Sequence, residues 1–160
     1  MMTRTRMFAA LGAALLALTL QVSAAAEPKS PDAVKNALRI LAYVQDDMAR
    51  KLPGRAYARL PHESQEFTEA SAAMRDAVAS DPPEFRARVE AALNKALTAS
   101  NTVAKISESN DDAKIAAAVT AVDTALQDLN ALFPQPLRPV PGQLGQGPGK
   151  SPGGPPPGLR

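Results

Sequence analysis

An apolar seam between Asp111 and Phe133 constrains the fold of this chain more than any other sequence feature. Its members recur at alternating spacings of four and three, which at about 100° per residue places them within an arc of about 80° on a helix. They are Ile115, Val119, Val122, Leu126, Leu129 and Phe133. Asn110 and Asp111 can cap the first turn, and Pro134 cannot continue the helix. Because one amphipathic helix is rarely stable alone in water, the seam predicts helical partners.

Three such partners are predicted upstream. Helix 1 follows the cap-and-proline signature Ser30-Pro31-Asp32 and runs to Leu52. Helix 2 begins near His62 or Glu63 and ends near Ser80, and helix 3 runs from Pro83 to about Ser107 behind a second such signature, Asp81-Pro82-Pro83-Glu84. The predicted buried face of helix 1 is Val34, Leu38, Leu41, Val44, Met48 and Leu52. That of helix 2 is Phe67, Ala70, Met74 and Val78. That of helix 3 is Phe85, Val89, Ala92, Leu93, Ala96, Leu97, Val103 and Ile106.

Residues 1–26 have the pattern of a secretory signal peptide. Arg4 and Arg6 form a basic start, and an apolar run extends from Phe8 to Leu20. The small-residue motifs Val22-Ser23-Ala24 and Ala24-Ala25-Ala26 offer two cleavage sites, after Ala24 or after Ala26. The apolar run is short for a membrane-spanning helix, which needs about 20 residues. We therefore expect an exported, periplasmic or secreted protein with no stable membrane insertion after cleavage.

The composition changes at residue 134, since the last 27 residues contain 9 Pro and 7 Gly. Such a segment buries too little apolar surface to offset its ordering entropy, and we expect a disordered tail over residues 134–160. Together these features predict an all-α protein: an antiparallel, up-down-up-down four-helix bundle over residues 27–133, flanked by the signal peptide and the tail.

Charge and cysteine content exclude several classes of function. The chain contains no Cys, which removes disulfides, thiolate nucleophiles and Cys-type zinc sites. Without the signal and tail, the bundle has 13 basic and 16 acidic residues, a net charge of about −3. A weakly acidic domain without a basic stripe is a poor nucleic-acid binder, so we expect no nucleic-acid partner.

A basic corner is predicted at the end of helix 1 and in the connection that follows it. Its members are Arg50, Lys51, Arg55, Tyr57 and Arg59. One interpretation is a solvated connector whose charges are partly balanced by Asp46 and Asp47, and the other is a surface that binds an anion or a protein partner.

The single histidine, His62, gives a candidate metal site. Glu66 and Glu69 follow it at offsets of four and seven, which places the three side chains on one helical face, and a histidine with two carboxylates can hold a divalent metal. The same face is directed toward solvent, so an acidic surface is the simpler interpretation. A second arrangement pairs His62 with Met48, although Met in a helical stripe normally fills the core.

The polar residues Gln45 and Ser100 interrupt the apolar faces of helices 1 and 3. If they are buried they need hydrogen-bond partners. We expect them to bind each other across the core, and the alternative is that they orient a small ligand between helices. For catalysis the chain offers no Gly-rich phosphate loop, no GxSxG elbow and no HExxH motif. The sequence therefore predicts a protein that is not an enzyme and has no bound cofactor.

A signal peptide followed by four amphipathic helices resembles the exported cytochrome b562 and cytochrome c′ bundles. The resemblance covers residues 30–133 and is architectural. It implies haem binding only where ligands are present, and the segment 130–134 contains neither the Cys nor the His of the c′ type. The b562 type uses an early Met in helix 1 and a His in helix 4, whereas this helix 1 carries its Met late, at Met48, and helix 4 has no His.

The preferred function is therefore non-catalytic: an interaction or structural module of the bacterial cell envelope, monomeric or weakly dimeric, with an envelope protein as partner. The basic corner and the tail are its expected contact surfaces. The alternative is a metal- or haem-binding periplasmic bundle that uses His62.

Overall fold

The computed structural model describes residues 27–140, so the predicted signal peptide and the part of the predicted tail beyond residue 140 lie outside the described residues. Within this range the chain is all-helical and contains no strand. Four α-helices are present: α1 (Pro31–Lys51), α2 (Leu60–Ala77), α3 (Pro83–Ile106) and α4 (Asp112–Asn130). The predicted class and the four helices are confirmed.

The helix starts are only partly those that the sequence indicated. Asp111 caps α4 as predicted, since its Oδ1 accepts a hydrogen bond from the Lys114 amide at 3.1 Å. The predicted side-chain cap at Ser30 is wrong, because Ser30 contributes its backbone carbonyl instead, to the Val34 amide at 3.0 Å. Helix α2 begins at Leu60, two residues before His62, because a single 3-10 turn, Tyr57–Arg59, leads directly into it.

Asp81 was also expected to cap a helix, and it does not. The residue before α3 is Pro82, whose carbonyl accepts the Arg86 amide at 3.0 Å. The Asp81 side chain instead accepts a hydrogen bond from the Lys29 amide at 2.7 Å, across a sequence separation of 52. This contact attaches the segment before α1 to the connection between α2 and α3.

The core is formed by the predicted apolar faces. All six members of the α4 seam are buried, and Phe133 remains fully buried although α4 ends at Asn130. Its ring meets Phe85 edge-to-face with centroids 5.5 Å apart, an arrangement that adds about 0.5–1.5 kcal/mol to the burial itself. Leu52, Leu97 and Ile106 lie at the margin of the core and are partly buried.

Buried polar residues pair differently from the prediction. Ser100 is fully buried, and its Oγ donates to Ser64 Oγ at 3.0 Å, between α2 and α3. Gln45 is only half-buried. The expected contact between Gln45 and Ser100 is therefore wrong, because Ser100 faces α2 and a short serine side chain can be satisfied there.

The helices pack in sequence, α1 on α2, α2 on α3 and α3 on α4, with a smaller contact between α1 and α4. Ion pairs join consecutive helices, and those between α1 and α2 and between α2 and α3 lie near the connections. One of them is bidentate: Arg75 on α2 donates from Nε and Nη2 to the Glu90 carboxylate on α3, at 2.8 and 3.0 Å. This guanidinium holds the pKa of Glu90 below its ordinary value.

The first residues of the predicted tail belong to the bundle. Gln135–Leu137 forms a 3-10 turn that packs against α1, and Leu137 lies against the core. Arg138 Nε fixes the turn by donating to the Phe133 carbonyl at 2.8 Å. The composition predicts little apolar burial after Pro134, and Leu137 is a residue of this segment that does pack against the core.

Candidate functional site

The basic corner is built from the last turn of α1 and the connection that follows it. Arg50 pairs with Asp46 one turn earlier. Lys51 Nζ lies 2.7 Å from Asp47 Oδ2 and 3.5 Å from Glu63 Oε1. Arg59 is exposed and forms no ion pair within residues 27–140. Most of the positive charge in this corner is thus neutralised by carboxylates of the same chain.

Tyr57 and Arg55 attach the corner to the start of α4. The Tyr57 hydroxyl, on a residue only 4% exposed, donates to Asp112 Oδ1 at 2.9 Å. Arg55 Nη2 lies 3.0 Å from the same carboxylate oxygen, and its guanidinium carbon is 5.9 Å from the centre of the Tyr57 ring. Burial, and next the hydrogen bond to Asp112, raise the pKa of the Tyr57 phenol.

Two connections meet at this contact, and each holds a residue in the left-handed region. Arg55 has φ 51° and Asn110 has φ 53°, and Arg55 Nη2 donates to the Asn110 carbonyl at 3.4 Å. Asn tolerates this conformation, whereas Arg adopts it rarely. The left-handed φ falls on Arg55 and not on the preceding Gly54, and the contacts of Arg55 with Asp112 and Tyr57 oppose the strain.

Glu63 is a buried carboxylate that the sequence did not single out. It lies in the first turn of α2 and is 5% exposed. Loss of hydration, followed by the nearby Asp47 carboxylate, raises the pKa of Glu63, and Lys51 opposes this shift. The hydrogen bond from Lys51 to Asp47 in turn raises the pKa of that lysine. The group Asp47–Lys51–Glu63 joins the end of α1 to the start of α2.

The structure brings together only part of the candidate metal cluster. His62 Nε2 lies 3.2 Å from Glu66 Oε1, and the His62 side chain is 70% exposed. Glu69 instead accepts a hydrogen bond from Gln65 at 3.3 Å. Within residues 27–140 no three His, Asp or Glu side chains form a group able to hold a metal ion. Met48 is fully buried in the core, whereas the His62 side chain is largely exposed. The second predicted arrangement, His62 with Met48, would therefore have to join a core residue to a surface residue.

An open groove lies between α3 and α4, at a place that no motif in the sequence indicates. Its volume is about 720 Å³. Ala and Thr make up most of its lining, together with three polar or charged residues: Ala91, Asn94, Lys95, Thr98, Ala99, Ala121, Thr124, Ala125 and Asp128. Lys95 Nζ and Asp128 Oδ2 are 3.6 Å apart across it, and both side chains are largely exposed. The exposed alanines Ala91 and Ala121 were visible in the sequence only as positions outside the apolar faces.

Comparisons with protein families, with curated proteins and with solved structures find no match for this chain. Nothing in them bears on the resemblance to the b562 and c′ bundles. In the part of the chain that the structure describes, every helix is too short or too polar to cross a membrane. The class defined by the described residues is therefore a helical protein of four α-helices, and its function has to be argued from its surfaces.

Proposed function

We propose that this protein is an exported, non-catalytic interaction module of the bacterial cell envelope. We further propose that its helices form an antiparallel up-down-up-down bundle with a disordered Pro/Gly-rich tail. Contacts between successive helix ends support the antiparallel order, since Lys51 at the end of α1 lies near Glu63 at the start of α2. The pair Lys95–Asp128, early in α3 and late in α4, supports the same order.

The observation that carries the proposal is the α3–α4 groove. Side chains of Ala and Thr let another helix approach closely, because they protrude little from the backbone. The groove also bears one positive and one negative rim residue, Lys95 and Asp128, whose contact with each other is long and largely exposed, so an incoming helix can replace it at little cost and pair with both charges. We propose that its occupant is one helix of an envelope protein, with small residues facing the groove and opposite charges at its rim.

The basic corner is the weaker candidate surface. Carboxylates of this chain already pair with Arg50, Lys51 and Arg55, so a partner would have to compete with internal ion pairs. Arg59 alone is left for an external anion among the described residues of the corner. This is why the groove replaces the corner as the main contact surface in the proposal.

A site-specific crosslinking experiment tests the groove. A photoreactive residue placed at Ala121 should crosslink one envelope protein in intact cells, and Ala121→Trp should lower the affinity of that purified partner by more than about tenfold. Ala73 is exposed on α2 and supplies the matched control for both changes. Equal crosslinking from both positions would contradict the proposal, and so would binding that is lost in Arg59→Ala and unchanged in Ala121→Trp.

The remaining parts of the proposal have separate tests. Export predicts a processed chain in the periplasmic fraction, and a full-length product in the cytosol would contradict it. A sedimentation experiment on the processed chain should give a monomer or a weak dimer. Metal or haem binding at His62, the alternative function, predicts a bound metal or a Soret band that His62→Ala abolishes, and elemental analysis with a visible spectrum tests this.

A further inference from the structure

One oxygen of a buried carboxylate has no hydrogen-bond partner among the described residues. Asp81 is 5% exposed, and its Oδ1 accepts the Lys29 amide at 2.7 Å. Its Oδ2 is shielded from solvent and has no hydrogen-bond partner among residues 27–140, nor does any described lysine or arginine form an ion pair with Asp81. Such a carboxylate oxygen is costly to leave unpaired in the interior. A hydrogen-bond donor beside Asp81 Oδ2, and preferably a positively charged one, should therefore be stabilising.

The chain segment beside Asp81 can supply that donor. The backbone amide of Lys29 is hydrogen-bonded to Asp81, and the neighbouring Pro28 is buried, so residues 28 and 29 are held against the helices. Two residues span at most about 7 Å, which keeps the Glu27 nitrogen near the same carboxylate. Glu27 itself is exposed, and rotation about its Cα–C bond changes the position of its nitrogen relative to Oδ2.

Removal of the signal peptide changes the chemistry of that nitrogen. In the full-length chain it is an amide with one N–H. Cleavage after Ala26, one of the two sites expected from the sequence, leaves Glu27 with an α-ammonium that is charged at neutral pH and has three N–H donors. Charge-assisted hydrogen bonds to a carboxylate are among the stronger ones in proteins.

We propose that Asp81 is the binding site for the new amino terminus, so that cleavage after Ala26 lets the Glu27 ammonium pair with Asp81 Oδ2. This proposal rests on the proposed export, because it needs the cleavage. The precursor lacks the contact and the mature chain gains it. Processing then fastens the segment before α1 to the connection between α2 and α3 and stabilises the mature bundle.

A double-mutant cycle between the amino group and Asp81 tests the proposal. The mature chain is prepared with a free Glu27 amine and with the same amine acetylated, each with Asp81 and with Asp81→Asn. Urea unfolding followed by circular dichroism gives the equilibrium constant of unfolding for all four proteins. Acetylation should raise this constant about tenfold with Asp81 present and less than about twofold in Asp81→Asn, a coupling typical of neighbouring groups.

Two controls make the result specific. Asp76→Asn removes an exposed carboxylate near the end of α2, and acetylation should have its full effect in that background. If Asp81→Asn does not fold, chains with a free amine that start at Glu27 and at Ala25 are compared, and the proposal requires the former to be more stable.

Equal effects of acetylation with and without Asp81 would overturn the proposal. A natural mature chain that starts at Ala25 would overturn it as well, because its charge would be displaced from Oδ2. Failure of the proposed export can be distinguished from failure of the Asp81 contact. Export is tested by the location of the product in cells, whereas the coupling between the amine and Asp81 is measured on purified protein.

Discussion

Replacement of Glu63 by Gln is expected to stabilise the protein at neutral pH. The Glu63 carboxylate is 5% exposed, and the Asp47 carboxylate lies close enough to raise its pKa together with burial. Gln has nearly the same shape and carries no charge. The substitution therefore removes the desolvation cost and the like-charge repulsion while it leaves the packing of α2 against α1 in place.

Two effects act in the opposite direction, and their size decides the outcome. Lys51 Nζ lies 3.5 Å from Glu63 Oε1, and a long, partly solvated pair of this kind contributes about 0.2–1 kcal/mol. A carboxylate in the first turn of α2 gains about 0.3–1 kcal/mol from the helix dipole. Lys51 keeps its shorter, 2.7 Å contact with Asp47 after the substitution.

The raised pKa of Glu63 already includes the attraction of Lys51, so the charged carboxylate is disfavoured in the fold even with that lysine beside it. We expect a net gain on the order of 1 kcal/mol at pH 7, the typical size of a single-site effect. For a domain of this size that gain corresponds to an increase in Tm of about 4 °C.

The pH dependence follows from the raised pKa of Glu63. Since the folded pKa lies above the ordinary value of 4.5, protonation of Glu63 adds stability that is complete below about pH 4.5 and is lost as the pH rises through the folded pKa. The advantage of the Gln variant should therefore be largest at pH 7 and disappear near pH 4.5.

Urea unfolding monitored by circular dichroism at both pH values measures this difference, and Glu69→Gln, at an exposed position on the same helix, is the control. A Gln variant that is less stable at pH 7, or equally favoured at both pH values, would refute the reasoning.

Three further substitutions test other contacts. Phe133→Ala should lower the free energy of unfolding by about 3–5 kcal/mol, measured by urea denaturation, because it empties a fully buried aromatic position beyond the end of α4. Ser100→Ala should cost about 1–2 kcal/mol in the same assay, since it leaves the buried Ser64 hydroxyl without its partner. Tyr57→Phe should reduce the loss of stability above about pH 10, because the raised pKa of the Tyr57 phenol means that its ionisation opposes folding. Thermal unfolding between pH 8 and pH 11 measures that change.

Helix number and apolar faces could be predicted because they depend on local periodicity. The α4 seam needed only the spacing from Ile115 to Phe133, and the Asp111 cap needed only its place before the helix. The salt bridges of Arg50 with Asp46 and Lys51 with Asp47 follow the same logic, since both join residues four apart on one helix. Each of these features is set within two or three helical turns.

Contacts between distant segments could not be predicted from such patterns. Tyr57 and Asp112 are 55 residues apart, and Lys29 and Asp81 are 52 apart. Their pairing depends on how helices are rotated and how far each connection reaches. The same dependence explains why Ser100 faces Ser64 rather than Gln45, because a small rotation of α3 changes which neighbour a short side chain meets.

The distribution of polar contacts explains why recognition is assigned to the groove. A core without Trp and with few aromatic residues relies on Leu, Val and Ala, which fill space but set helix register weakly. Charged and hydrogen-bonded groups near the helix ends supply that register here, as in the Tyr57–Asp112 contact and the bidentate Arg75–Glu90 pair. Charges used in this way are already satisfied, and an external partner gains little from them. The α3–α4 groove consists mostly of small side chains, and the Lys95–Asp128 pair across it is long, at 3.6 Å, and largely exposed, so a helix packed there buries apolar surface while it disturbs only one weak internal pair.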